Sequence, residues 1–241
     1  MIEFKASIVI PVFNNINFTK SCIGDLSKLP SDHEIIIVDN GSTDETRSIC
    51  LALQEQFINA SGNLPSLKYF QQAENLGFAK ACNIGYRHSV GEVVVFLNND
   101  IRVQSDFATW TSNLIKEAEA GYLVGPTGGL ITKSCDFIKE TNKLESGIYY
   151  MSGWCLAASR KVFDSLILPG ETGPFSSEFG IAYFEDTDLS LRAKELGIPF
   201  KIQEVPVHHF GKMTSKKVGI SKLYPVAKEI FKRKWTTKLN G

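Results

Sequence analysis

The sequence has no long apolar run. None of its apolar stretches approaches the roughly 18 residues that a membrane-spanning helix needs. Residues 1–5 also lack the layout of a signal peptide, and residues 7–13 directly after them have the pattern of a strand. These absences predict a cytoplasmic location.

Cysteine is scarce as well. The five cysteines are scattered, odd in number and never spaced as C-x-x-C. This usage disfavours a disulfide framework or a zinc site and favours a reducing compartment.

Glycine-rich phosphate-binding motifs are missing from the first hundred residues. Neither G-x-G-x-x-G nor G-x-x-x-x-G-K-[ST] occurs there, which weakens the case for a dinucleotide-binding or P-loop enzyme. A nucleotidyltransferase is disfavoured too, because no such loop with a basic residue follows the first predicted strand.

The chain has no excess charge of either sign, but its charges are unevenly placed. Residues 211–241 hold nine basic residues and one acidic residue, so this tail is about +8 and the rest about −8. Such an asymmetry predicts an anionic partner for the tail. The tail also has apolar residues near helical spacing, at Leu223, Ala227, Ile230, Phe231 and Trp235. A basic amphipathic helix binds an anionic membrane surface or packs its apolar stripe on the domain, and both alternatives stay open.

Short apolar runs alternate with helical patterns up to residue 100. Predicted strands at 7–13, 34–38, 67–70 and 93–97 are separated by helical segments. This alternation predicts an α/β fold with a doubly wound, mostly parallel sheet. We expect a first half at 1–100, a second half at 101–212 and the basic tail at 213–241.

Polar residues follow two of these strands. Asn98, Asn99 and Asp100 end the apolar strand 93–97, at the sheet edge where α/β proteins bind ligands. The trio is either an Mg²⁺ or Mn²⁺ site or a polar turn. Asp39, after strand 34–38, either hydrogen-bonds a base or ribose or belongs to an ordinary turn. Ser42 and Glu45 have the spacing of a capping box.

Later segments add acids, histidines and glycines. Glu185 and Asp186 are predicted to lie just before a helix, where a carboxylate can act as a base, whereas Asp188 is a helix-dipole partner. A metal at Asp100 needs a further ligand, which His208 or His209 can supply. Gly153 beside Trp154 is either a sugar contact or a glycine packed in a strand. Residues 169–180 are predicted to form a mobile active-site loop.

Six collinear pieces together resemble the family 2 glycosyltransferases, which have the GT-A fold and invert configuration. They are SIVIPVFNN at 7–15, IIVDNGSTD at 36–44, ENLGFAKACNIG at 74–85, FLNND at 96–100, EDTDLSLR at 185–192 and HHFG at 208–211. Within the family the chain is most similar to rhamnosyltransferase-like enzymes of surface polysaccharide assembly.

The resemblance implies roles for individual residues. Asp186 matches the catalytic base, with Glu185 beside it, and Asp100 with His209 or His208 matches the metal site. The implied nucleotide-sugar site comprises Pro11, Phe13, Asn14, Asp39, Asp44, Asn75, Gly77, Lys80, Asn98, Asn99, Gly153 and Trp154. Asn98 departs from the family, which usually has Asp there, and this departure puts the metal affinity in question.

The resulting hypothesis is an inverting enzyme that moves one sugar from a UDP- or dTDP-linked donor with Mn²⁺ or Mg²⁺. The acceptor would be a glycan or lipid-linked glycan, with the tail at the inner membrane surface and no nucleic-acid partner. The processive Q-x-x-R-W motif is absent, which favours single transfers. The alternative is a non-catalytic nucleotide-sugar or glycan-binding relative.

Overall fold

The computed structural model describes residues 4–60, 62–104, 107–211 and 220–241. Twelve strands and seven α-helices lie in these ranges. The strands are β1 (Ala6–Val12), β2 (His33–Asp39), β3 (Ser66–Gln71), β4 (Val93–Leu97), β5 (Ile101–Val103), β6 (Leu123–Gly125), β7 (Gly128–Ile131), β8 (Phe137–Thr141), β9 (Ile148–Met151), β10 (Cys155–Ser159), β11 (Phe200–Ile202) and β12 (Val207–His209). The helices are α1 (Ile16–Leu26), α2 (Thr46–Asn59), α3 (Phe78–His88), α4 (Phe107–Glu119), α5 (Arg160–Ser165), α6 (Glu185–Glu195) and α7 (Tyr224–Asn240).

A seven-stranded sheet forms the centre of the molecule, in the order β11-β6-β10-β4-β1-β2-β3. All neighbouring strands are parallel except β10, which runs antiparallel between β4 and β6. The predicted α/β fold with a mostly parallel sheet is therefore confirmed. Because β1, β2 and β3 are in register, Val12, Asp39 and Gln71 end side by side at one edge.

The central strands are apolar throughout because helices cover both faces of the sheet. Ile35 and Ile37 of β2 point into the layer that holds α1, α2 and α4. Ile36 and Val38 point into the opposite layer, with α3 and α6. Full burial of each such side chain contributes about 1.5–3 kcal/mol, which fixes the register of the strand.

Two smaller sheets lie beyond the carboxyl edge of β4. Strands β5 and β12 pair with each other, and β7 pairs with both β8 and β9. Strand β8 lies within the polar stretch 133–147. Four of the five residues of β8 are exposed, so the strand buries no face that would give it an apolar alternation.

Helix α7 packs its apolar stripe on the domain. Ala227, Phe231 and Trp235 are at most 2% exposed and join a cluster that includes Phe179 and Phe184. Three of the five residues in the stripe on which the membrane prediction relied are therefore covered by the chain itself, whereas Leu223 is 37% exposed. No helix among the described residues combines the length and the apolar character required to cross a bilayer.

The basic residues of α7 meet acids of the preceding domain. The Nζ atoms of Lys228, Lys234 and Lys238 pair with Asp136, Glu178 and Glu195 respectively. Part of the positive charge of the tail is thus neutralised by acidic residues of the same chain. Lys212, Lys216 and Lys217, the other bases near the start of the tail, lie outside the described residues.

Candidate active site

The carboxyl end of β4 brings Asp100 next to a histidine. The antiparallel pairing of β5 with β12 places His209 opposite Ile101. The backbone N–H of Phe210 donates to the Asp100 carbonyl at 2.9 Å. As a result, His209 Nε2 lies 3.1 Å from Asp100 Oδ1.

His209, and not His208, belongs to this site. The ring of His209 stacks on Trp154 with centroids 4.6 Å apart, and its Nε2 is 3.4 Å from Asn98 Nδ2. His208 is exposed, and its ring lies edge-on to Phe210 at 4.8 Å. Successive side chains of a strand point to opposite faces, so only one of the two histidines can reach Asp100. The structure thus disagrees with the prediction of His208 as a ligand.

Asp100 and His209 form a donor pair that fits a divalent ion. Adjacent ligands of a six-coordinate ion with bonds of about 2.1 Å are about 3 Å apart, close to the 3.1 Å between these two atoms. In the described ranges, no cluster of three or more His, Cys, Asp or Glu side chains is arranged to hold a metal. Such an ion would therefore depend on water and substrate oxygens for its remaining ligands.

Asp186 is held at the start of α6 by hydrogen bonds from two directions. Its Oδ2 accepts from the Gly153 N–H at 2.8 Å, and its Oδ1 accepts from the Thr187 N–H at 2.7 Å. A Cβ at Gly153 would lie 3.1 Å from the Cβ of Asp186, so a larger residue here would require the Asp186 side chain to shift by a few tenths of an ångström. Gly153 is in the turn before β10 and supplies a backbone donor rather than a bare packing surface.

Contiguous contacts join the two acids. Asp100 contacts His209, whose ring stacks on Trp154. Trp154 follows Gly153 in the chain, and Gly153 donates to Asp186. Trp154 is 8% exposed and its Nε1 donates to Thr127 Oγ1, so its role here is to hold His209 rather than to present a broad face to a sugar.

Burial perturbs both acids at the start of α6. Burial raises the pKa of Asp186, although hydrogen bonds from Gly153 and Thr187 oppose this shift. Burial and the neighbouring Asp186 raise the pKa of Glu185 to about 8. Glu185 is 5% exposed, and its Oε1 has no hydrogen-bond partner in the described residues.

The structure places Glu185 differently from the position that the sequence predicted. Both acids are the first residues of α6 rather than lying before it. Glu185 is enclosed by protein and cannot meet an acceptor, so Asp186 alone keeps the predicted role of base.

The loops after β1 and β2 are tied together. Asn14, at φ 54°, accepts at Oδ1 from the Thr43 N–H at 2.8 Å and donates its N–H to Ser42 Oγ at 2.7 Å. Asp44 Oδ2 accepts from the Ile16 N–H at 3.2 Å. The predicted capping box is wrong, because Ser42 binds Asn14 and Asp44 Oδ1 accepts from the Thr46 N–H at the start of α2.

Asp39 faces the interior in this structure. It has no exposed surface, and its two oxygens accept from the Ser42 N–H at 2.8 Å and the Tyr69 hydroxyl at 2.5 Å. A direct contact with a base therefore needs a rearrangement of these partners. A cavity of about 330 Å³ opens directly beyond Asp39, and its lining residues are Gly41, Ser42, Thr43, Gln71, Gln72 and Ala73.

Asn75 and Gly77 are fixed by Asn40, a residue that the sequence interpretation did not single out. Asn40 is 5% exposed; its Nδ2 donates to Asn75 Oδ1 at 2.9 Å and to the Gly77 carbonyl at 3.2 Å. Gly77 has φ 89°, and a Cβ there would lie 2.2 Å from the Gly180 carbonyl oxygen. From sequence, only correlated substitutions at positions 40 and 75 among relatives could have revealed this contact.

The remaining predicted residues are divided between the surface and the interior. Pro11 and Phe13 are half-buried at the end of β1, and Lys80 is exposed on the first turn of α3. Asn99 is buried and donates to Thr19 Oγ1 at 2.9 Å, so it fixes α1 rather than facing the cleft.

The segment 169–180 is anchored to α3. Asn83 donates to the Phe175 carbonyl at 2.7 Å and accepts from the Phe175 N–H at 3.0 Å. Phe175 itself has no exposed surface. The segment joins the two halves of the molecule through these contacts.

Comparison with known proteins identifies the family. Residues 7–166 match the family model described as Glycosyl transferase family 2. Glycosyltransferase GlyA of Streptococcus pneumoniae is 27% identical over 126 residues, which are 52% of this chain and 17% of that protein. An uncharacterised glycosyltransferase of Nostoc is 38% identical over 97 residues, 40% of this chain and 28% of that protein. The chain thus spans well under half of either relative. An uncharacterised protein of Mycobacterium bovis is 26% identical over 226 residues, 86% of this chain and 75% of that protein.

Solved glycosyltransferases share the fold. The mannosyltransferase PcManGT of Pyrobaculum calidifontis, solved with GDP-Man and Mn²⁺, is 18% identical and aligns with a TM-score of 0.59 over 83% of this chain and 56% of its own. GalNAc-T7, solved with UDP, GalNAc and Mn²⁺, is 19% identical and aligns with a TM-score of 0.59 over 86% of this chain and 44% of its own. With its mostly parallel sheet, this GT-A architecture and the family match over about two thirds of its residues, the chain belongs to glycosyl transferase family 2.

Proposed function

We propose that this chain is an inverting glycosyltransferase that moves one sugar from a UDP- or dTDP-linked donor to a hydroxyl of a glycan acceptor. The observation that carries the proposal is the run of contacts from Asp100 through His209, Trp154 and Gly153 to Asp186. This run of contacts connects a pair of residues suited to a cation with a carboxylate suited to act as a base. Surface glycan assembly is the process that such an acceptor serves.

The donor half of the cleft is built from the loops at the carboxyl edge of β1, β2 and β3. Asn14, Asp39 and Asn75 order these loops by hydrogen bonds to backbone groups. The open cavity beside Gly41 lies where a nucleoside would enter. In this proposal Pro11, Phe13, Asp44 and Lys80 line or flank the nucleotide.

Asp100 and His209 are the residues that would hold Mn²⁺ or Mg²⁺. When bound, such an ion balances the negative charge that develops on the leaving nucleoside diphosphate. The stacking of His209 on Trp154 fixes the imidazole plane, so its Nε2 stays directed at Asp100.

Asp186 removes the proton from the acceptor hydroxyl as that oxygen attacks the anomeric carbon. Two backbone N–H donors fix the orientation of its carboxylate. Its raised pKa strengthens it as a base. Because the attack comes from the face opposite the leaving group, a single displacement inverts the configuration, and the protein needs no nucleophile.

The experiment is a donor screen followed by a base variant. Thermal shift with Mn²⁺ should identify a stabilising UDP- or dTDP-sugar, and GDP-sugars are included because PcManGT was solved with GDP-Man. Asp186→Asn should lower transfer by at least about 10²-fold, the lower end of general-base assistance, while donor binding survives. Glu204→Gln, at an exposed position, serves as the control. Full turnover by Asp186→Asn would refute the assignment of the base, and retention of configuration, observed by NMR of the product, would refute inversion.

A further inference from the structure

Three half-buried tyrosines gather next to Asp186 from separate elements. Tyr150 lies on β9, Tyr183 precedes α6, and Tyr224 opens α7. All three pack at the rim of the apolar cluster that α7 covers. The rings of Tyr183 and Tyr224 are 5.3 Å apart and nearly perpendicular.

These tyrosines are close to the predicted base. Tyr183 stands three residues before Asp186. Met151, next to Tyr150, donates its N–H to Ser190 Oγ at 2.9 Å, and that hydroxyl donates to the Asp186 carbonyl at 2.7 Å. Burial raises the pKa of Tyr150, and the charge of Asp186 raises it further, which places the two side chains within electrostatic reach.

The backbone around each ring is specialised to hold it. The Tyr150 ring lies over Gly129, where a Cβ would come within 2.6 Å of ring atoms. Tyr183 and Phe184 adopt φ values of 84° and 71°, a left-handed conformation that is unfavourable for residues other than glycine. Strain of this kind at consecutive residues persists only where the surrounding structure enforces it, and it concentrates at functional sites.

Helix α7 is fixed to the helix that carries the base, and this contact sets the position of Tyr224. Asp188 has no exposed surface; its Oδ1 accepts from Trp235 Nε1 and Lys234 Nζ, each at 2.8 Å. Its Oδ2 accepts from Arg192 Nε at 2.8 Å. Phe184 also contacts Tyr224, with ring centroids 5.4 Å apart.

We propose that Tyr150, Tyr183 and Tyr224 form the surface that binds the acceptor as a pyranose ring, with its reacting hydroxyl at Asp186. The inference rests on the proposed function and adds its acceptor class and subsite. An aromatic face packs on the C–H groups of a sugar, and the phenol hydroxyl hydrogen-bonds its polar rim. None of the three hydroxyls is hydrogen-bonded to another residue in the part of the chain that the structure describes, so each is available for a ligand.

The test measures acceptor binding without requiring turnover. Saturation-transfer NMR of the full chain with a panel of p-nitrophenyl glycopyranosides, and with p-nitrophenol as the non-sugar probe, gives dissociation constants. At least one glycopyranoside should bind, and Tyr150→Ala or Tyr224→Ala should weaken it about ten-fold, whereas the matching Phe variants keep most of the affinity. Tyr122→Ala removes a half-buried tyrosine that contacts Lys201 instead and should have no effect.

Each other outcome overturns the proposal. These outcomes are no binding of any glycopyranoside, equal affinity for p-nitrophenol, unchanged affinity in both Ala variants, or an equal loss in Tyr122→Ala. Should Tyr224→Ala unfold, Tyr150→Ala on β9 decides the result. Donor hydrolysis without acceptor, measured in the parent protein, reports separately on the proposed function: its absence would count against the transferase rather than the tyrosine surface.

Discussion

Glu185 should make the stability of this protein fall as the pH rises. The folded state raises the pKa of this buried acid from its ordinary 4.5 to about 8, first through burial and then through the charge of Asp186. Between these two pH values the folded chain holds a proton that the unfolded chain has released. Stability therefore declines with increasing pH across this window and levels off above it.

The size of the decline follows from the shift. One pKa unit corresponds to about 1.4 kcal/mol, so ionisation of Glu185 costs the folded state up to about 5 kcal/mol. Ionisation is costly because the Glu185 carboxylate is 5% exposed and one of its oxygens has no partner in the described residues. Glu185→Gln removes the charge and keeps the shape, so its stability relative to the parent should rise by about 4 kcal/mol from pH 5 to pH 9, the part of the decline that falls in this interval.

Urea unfolding followed by tryptophan fluorescence at one-unit pH steps measures this difference. The quantity to follow is the difference in unfolding free energy between parent and variant, and how that difference changes with pH. The new amide adds a desolvation cost to the variant, but this cost is the same at every pH. Glu119→Gln, an exposed change at the end of α4, should give a curve parallel to the parent. A difference between parent and Glu185→Gln that stays within about 1 kcal/mol from pH 5 to pH 9 would refute the argument.

Three further predictions concern the cleft. His209→Ala should weaken Mn²⁺-dependent nucleotide binding in calorimetry by about ten-fold or more, whereas His208→Ala, on the opposite face of β12, should not; equal losses would contradict the site. Gly77→Ala should lose about 2 kcal/mol or more beyond Gly62→Ala in urea unfolding, since both have positive φ but only Gly77 abuts backbone; equal losses would show that the contact is loose. The kcat/KM of transfer should rise with pH along an acid limb whose midpoint lies above the ordinary aspartate pKa of 3.8, because Asp186 must be ionised and its pKa is raised; a limb at or below that value would contradict the role of burial.

The sequence was sufficient to predict β1, β2, β3 and β4 of the central sheet, because these strands are dictated by local pattern. Val93 to Leu97 has the unbroken apolar run of a strand that is buried on both faces, and the structure has β4 at these residues. The polar residues after it are correspondingly at the carboxyl edge. Asp100 therefore lies where the pattern placed it, and the sequence also gave reason to look for a histidine near it.

Contacts between distant segments could not be predicted in the same way. Nothing in Cys155 to Ser159 indicates that β10 enters the sheet antiparallel, between β4 and β6. The choice between His208 and His209 likewise depends on how β12 pairs with β5, which neither strand shows alone. Glu185 and Asp186 look alike in sequence, and what separates them is that Asp186 accepts from the N–H groups of Gly153 and Thr187, whereas Glu185 Oε1 has no partner in the described residues.

The tail shows why composition alone left two answers open. A basic amphipathic helix has the same pattern whether it faces anionic lipid or an acidic protein surface. What decides is the buried Asp188, which needs cationic and N–H partners and obtains Lys234 and Trp235 from α7. A buried carboxylate of this kind, left without those donors, would be costly, so the helix is tied to the domain by an electrostatic requirement as well as by apolar area.

The extent of the family match has a consequence for the two halves of the cleft. The match ends at residue 166, so it includes the donor-side loops and Asp100 but not Asp186, His209 or α7. The tyrosine from α7 and the one before α6 also lie beyond it. The matched segment holds the donor-side residues and Tyr150, whereas Asp186, Tyr183 and Tyr224 lie beyond it, so most of the proposed acceptor surface is outside the family match. Among relatives that align over the whole chain, we therefore expect acceptor preference to follow the residues at positions 150, 183 and 224 more closely than the donor-side residues before 101.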